Sequence, residues 1–188
     1  MTTRILKPLL RLAVALVVFA AHRIAVANDG WTALQPGTMV LFRHALAPGG
    51  GDPPGFRLND CSTQRQLSDE GRAQARRIGQ AFKSRRIEVG AVWSSQWCRT
   101  GETADLAFPG KRLDQPAFNS FFGTPDAAPD QTRAAQQLLG DWPGTGVLVV
   151  VTHQVNITAL TGIVPSSGEG VVIKNTPQGV LVLGRVTP

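Results

Sequence analysis

The chain has 188 residues, 43% of them hydrophobic and 17% charged, with a formal net charge of +6. The basic excess is local: residues 1–27 hold four of the nineteen Lys and Arg and none of the thirteen Asp and Glu, so the remainder carries only +2. Composition therefore gives no ground for a nucleic-acid-binding role. In chain order, the first element is a targeting segment. Arg4, Lys7 and Arg11 precede ten apolar residues at 12–21, and Ala25-Val26-Ala27 is an A-x-A cleavage site. Ten apolar residues are too few to span a bilayer comfortably, and His22 and Arg23 would sit badly in a spanning helix. The expectation is a signal peptide over 1–27, cleaved after Ala27, an uncleaved anchor being the alternative. A single domain over 28–188 would then be periplasmic or secreted, with no stable membrane span.

The hydrophobic run at 38–43 predicts a first strand, ending in Arg43-His44. Residues 45–66 form a long Gly- and Pro-rich loop, a length that in a compact domain points to function or mobility. Ser68 caps a helix whose first turn holds Asp69 and Glu70, with Ala75, Ile78 and Phe82 on one face. Its basic residues read first as a solvated face. A second strand at 91–95 ends in Ser94-Ser95 and is followed by a helix over 98–107. Residues 113–118 read as an edge strand. A helix follows over 130–139, capped by Asp130, with Ala134, Ala135, Leu138 and Leu139 inward. The most hydrophobic run, 146–152, reads as a central strand that ends at His153. A helix starting at 155 is kept short by Pro165, and strands at 171–174 and 179–186 close the chain. Alternating strands and helices predict an α/β fold: a three-layer sandwich around a mostly parallel sheet.

Three strand ends carry chemistry. In open α/β sheets, ligands bind at the carboxyl ends of the strands. A neutral imidazole is a competent nucleophile toward phosphorus if the anionic phosphoryl group is held and neutralised, and Arg43 beside His44 suits that task. Arg99 falls at a helix start, beside backbone N–H groups expected to be free. His153 could take a proton under a bound phosphate dianion. Any one of these alone is more often structural; three together define a candidate phosphate site. Metal ligation by His44 and His153 is disfavoured by the flanking arginines and by the absence of a ligand-spaced His/Cys cluster. Cys61 and Cys98 are an even pair, which in an oxidising compartment indicates a disulfide; two separate thiols, or a catalytic cysteine, are the alternatives.

These elements resemble the histidine phosphatase superfamily, the phosphoglycerate mutase-like fold. Arg43-His44 matches its first motif. Leu67-Ser68-Asp69-Glu70-Gly71-Arg72-Ala73-Gln74-Ala75 matches its helix start. Ser94-Ser95 with Arg99, Thr103 and Ala104 matches the third, and Thr152-His153 the last. The resemblance implies phosphoryl transfer from a small phosphorylated substrate, and a phosphatase is expected rather than a mutase because nothing in the sequence suggests a site specialised to retain a sugar phosphate. His44 would carry a transient phosphoryl group. Arg43 and Arg99 would clamp the phosphoryl oxygens, and His153 would stabilise the transferring charge. It implies no metal or other cofactor, because the arginines and the second imidazole supply the positive charge. Some secreted members of the family look like lipopolysaccharide-core phosphatases, which makes such a phosphate one candidate substrate.

The sequence departs from the family pattern at the proton donor. One branch places a Glu where this chain has Asn119; the other places an Asp after the second His, where this chain has Gln154. A phosphatase benefits from an acid that protonates the leaving alkoxide. Asp52, Asp60 and Glu169 are the candidates, although each is individually more often a turn, capping or surface residue. The alternatives are a substrate whose leaving group needs no acid and a non-catalytic phosphate-binding module. A Cys61–Cys98 bridge would pin the long loop over the pocket.

Overall fold

The computed structural model describes residues 29–188. The segment over 1–27, expected to be a signal peptide, lies outside the described residues. Six strands form one sheet: β1 (Met39–Arg43), β2 (Val89–Ser94), β3 (Arg112–Asp114), β4 (Val147–Thr152), β5 (Gly170–Thr176) and β6 (Gly179–Val186). Their order is β3-β2-β4-β1-β5-β6. The first four run parallel, and the last two are antiparallel additions. Helices α1 (Gly30–Ala33), α2 (Asp69–Ser84), α3 (Cys98–Ala107), α4 (Ala128–Gly140) and α5 (Gln154–Thr161) flank it.

The period-2 alternation of the strands divides the core in two. Val147, Val149 and Val151 of β4 join Val40 and Phe42 of β1 on the face covered by α1, α2 and α3, where Trp31, Ile78, Phe82 and Ala104 pack. Leu148 and Val150, with Met39 and Leu41, face α4 and α5, where Leu139, Ile157 and Leu160 pack. β4 is buried at every position because both of its faces are covered and both of its edges are paired. This is the expected three-layer α/β sandwich.

Several local expectations need correction. Residues 113–118 are not one strand: Arg112–Asp114 pairs at the sheet edge, and Pro116–Phe118 is a 3-10 turn. Pro116 cannot donate to a ladder, so the pairing stops there. Asp130 does not cap α4, which starts two residues earlier with Ala127 as N-cap; Asp130 lies in the first turn. Ala134 is exposed, while Ala135 and Leu139 make the buried face. α5 ends at Gly162, left-handed at φ 73°, rather than at Pro165. Ser68 caps α2 as expected, accepting the Gly71 N–H.

Candidate active site

The sheet register builds the site. Arg43 pairs with Thr152, so His44 and His153 leave adjacent parallel strands at the same level. The His44 N–H donates to the Thr152 carbonyl, and the two ring centroids lie 5.6 Å apart. Both side chains are buried. Between them reaches Arg99, the second residue of α3 and itself buried.

His44 is held in one tautomer. Its Nδ1–H donates to its neighbour's carbonyl, Ala45 O, at 2.7 Å, which leaves the Nε2 lone pair facing Arg99. The Arg99 Nε–H donates to that lone pair at 3.2 Å. Burial, reinforced by the Arg99 charge, lowers the His44 pKa to about 3, so the ring is neutral at ordinary pH. Thr103 supports this geometry: its hydroxyl accepts the Ala45 N–H and donates to the Arg99 carbonyl. Gln74 does similar work further out, joining Leu46 N to Ser167 O.

His153 accepts from Arg99 Nη2 on Nδ1 at 3.4 Å, so Nε2 carries the proton and donates to Ser95 Oγ at 2.8 Å. Burial, and then the Arg99 charge, hold its pKa well below the usual 6.5. Ser95 Oγ in turn donates to Asn119 Oδ1, which also accepts the Gln96 N–H. Asn119 is thus two hydrogen bonds behind His153, not a lining residue of the cavity. Three helix-start N–H groups around Arg99 already have acceptors: Gln64 Oε1 takes the Cys98 N–H, and the Trp97 carbonyl takes those of Thr100 and Gly101.

Arg43 donates from Nη1 to Pro165 O, while its buried Nε has no partner among the described residues. Burial is also the main cause that lowers the pKa of Arg43 and of Arg99, but guanidinium remains charged. Arg65 is a site residue that the sequence reading misses. Its Nε donates to Gly51 O at 2.6 Å, and Nη1 to Ala47 O at 2.6 Å and Gly49 O at 2.8 Å. It stitches the glycine loop together, and its charge acts on both histidines. Nothing in the sequence marks it, because its partners are carbonyls that any residue carries.

The three candidate acids separate. Asp52 lines the cavity: one oxygen accepts from Arg99 Nη1 at 2.8 Å and the other from Trp97 Nε1 at 3.0 Å. Asp60 caps the 3-10 turn Cys61–Thr63 and is bonded to Ser62 and Arg57. Glu169 is bonded to Arg185 and to the Ser166 N–H and does not line the cavity. Cys61 and Cys98 form a disulfide with Cα atoms 5.7 Å apart. Phe56 stacks on Trp97 at 5.1 Å, a second tie between the loop and the start of α3. The cavity enclosed is about 170 Å³. Among the described residues no group of three or more His, Cys, Asp or Glu is placed to hold a metal ion.

Comparison with known proteins bears on this geometry. A model of the histidine phosphatase superfamily (branch 1) matches residues 39–116. Three solved structures share the fold. Phosphoserine phosphatase from Entamoeba histolytica, in complex with 3-phosphoglyceric acid, is 13% identical over 80% of this chain and 97% of that one, with a TM-score of 0.59. Phosphoglycerate mutase from Thermus thermophilus is 18% identical over 80% and 99%, with a TM-score of 0.58. The protein histidine phosphatase SixA, complexed with tungstate, is 15% identical over 80% and 97%, with a TM-score of 0.54. No curated protein matches the sequence. Residues 39–116 match the histidine phosphatase superfamily, and the chain has the phosphoglycerate mutase-like fold of these structures.

Proposed function

We propose that this protein is a phosphatase that works through a phosphohistidine on His44. The observation that carries the reading is the buried, neutral His44, with its Nε2 lone pair directed at the Arg99 guanidinium in a cavity that Arg43 and His153 also line. Tungstate bound to SixA and 3-phosphoglyceric acid bound to the Entamoeba enzyme are consistent with an anion in such a pocket.

Arg99 is shared between Asp52 and His44 Nε2. An incoming phosphoryl dianion takes over the guanidinium and frees both. Nε2 then attacks phosphorus, and the bond to the leaving oxygen breaks with its electron pair on that oxygen. Arg43, Arg99 and His153 hold the three equatorial oxygens, where charge accumulates. Asp52 is the proton donor in this reading, because it alone of the candidate carboxylates lines the cavity. Displaced from Arg99 beside the dianion, it takes up a proton from solvent. It protonates the leaving oxygen, then takes a proton from the water that attacks phosphohistidine, and phosphate and neutral His44 are released. Action outside the cytoplasm, after removal of residues 1–27, is part of the proposal and is supported by the disulfide.

The test is direct. Mixing the protein with a phosphate ester and quenching in base should trap acid-labile, base-stable phosphate on His44. His44→Ala should lower turnover by roughly a thousandfold or more. Full turnover by that variant, or label on another residue, would overturn the mechanism.

A further inference from the structure

The cavity has two ends of different chemistry. Arg43, Arg99, Asp52 and the two histidines form the phosphoryl end. Arg65 belongs with them, since its charge acts on all four basic groups there and its head is tied to backbone carbonyls. What remains is a lip of the glycines at 49–51, whose carbonyls at 49 and 51 accept from Arg65, with Ser120, Phe122, Gln154 and Val155.

Phe122 is the telling member. It is 62% exposed, among the largest exposures of any big apolar side chain described. Its ring lies against Gly51, where a methyl would already stand 3.4 Å from Cε1. The opposing loop is held by Arg65, by the Asp52 contact to Trp97 and by the disulfide, so the lip exists before a ligand arrives. The cavity of about 170 Å³ is lined by both ends, so a phosphoryl group at the charged end leaves the rest of a substrate against this lip.

We infer that the substrate is a phosphate monoester whose leaving group is uncharged near the ester oxygen and lays an apolar face on Phe122. A carboxylate or ammonium next to the ester would be partly desolvated against the ring. This rests on the phosphatase reading above and adds the class of substrate. It separates the protein from its structural neighbours whose names specify phosphoserine or phosphoglycerate.

The experiment compares leaving alcohols of similar basicity: kcat/KM for benzyl phosphate against O-phosphoserine and 3-phosphoglycerate. Benzyl phosphate should be preferred by about tenfold or more, and Phe122→Ala should shrink that ratio about three- to tenfold. Phe122→Arg should move the preference toward the carboxylate-bearing esters. Equal rates on all three esters in the native protein, or a ratio unchanged in Phe122→Ala, would overturn the inference. Calorimetric binding of benzylphosphonate against 2-amino-3-phosphonopropionate, in the native protein and in Phe122→Ala, reads the lip without turnover. Failure of the lip is thereby distinguished from failure of the phosphatase reading, which absence of turnover on every ester would signal. The exposure of Phe122 makes loss of folding an unsuitable explanation, and a melting curve for each variant checks it.

Discussion

At the residue scale the decisive fact is that two imidazoles are kept neutral by burial and by the same guanidinium that would bind their ligand. Arg99 donates to His44 Nε2 and to His153 Nδ1, so each ring presents a lone pair rather than a proton to it. His153 can become a donor only when an anion arrives and offsets the cations around it. Asp52 can be tested at the same scale. If it protonates the leaving group, Asp52→Asn should lower kcat on an alkyl phosphate about a hundredfold and leave a nitrophenyl phosphate much less affected, since that leaving group departs unaided. Equal losses on both substrates would assign Asp52 to binding through Arg99 instead. Asn119 is occupied with Ser95 and Gln96.

At the scale of elements, the loop over 45–66 has little regular structure, yet it is fastened at many points. The disulfide, the Gln64 bond to Cys98 N, the Phe56–Trp97 stack and the Arg65 bonds to carbonyls all hold it on the start of α3. The bridge closes a 37-residue separation, which the chain-entropy model values at roughly 3–4 kcal/mol against the unfolded chain. Reducing it should speed limited proteolysis within residues 53–60 and raise KM, because Asp52 and the glycine lip are delivered by this loop. Cleavage and KM unchanged by reductant would mean that the other ties suffice.

At the scale of the whole molecule, burying two neutral histidines links stability to pH. The folded His44 pKa of about 3 lies below the ordinary 6.5, so below 6.5 the unfolded chain binds a proton that the folded chain refuses until near 3. His153 acts in the same direction. The melting temperature should therefore fall as pH drops from about 7 to about 4, and less so in His44→Asn. Tungstate or phosphate should reverse part of the fall by stabilising the protonated rings in the folded state. A slope identical in the native protein and the variant would show that the carboxylates alone carry the acid sensitivity.

Much of this is legible in the amino-acid order, because local chemistry suffices for it. Val147 to Thr152 can only be a doubly covered strand, Ser68 with Asp69 and Glu70 starts a helix, and Arg43-His44, Arg99 and Thr152-His153 identify the phosphate chemistry. The edge region at 113–118 and the start of α4 are not legible in this way, since short elements and element ends depend on what they pack against. The sequence by itself determined which residues could do phosphoryl chemistry and which fold would carry them. Only the tertiary structure decided how they meet. The β1–β4 register sets the two imidazoles side by side. The loop bends Asp52, and not Asp60 or Glu169, onto Arg99, and Phe122 comes to rest on a wall of glycines. Those are contacts between groups far apart in the chain, and their geometry is fixed by packing, which no local spacing encodes.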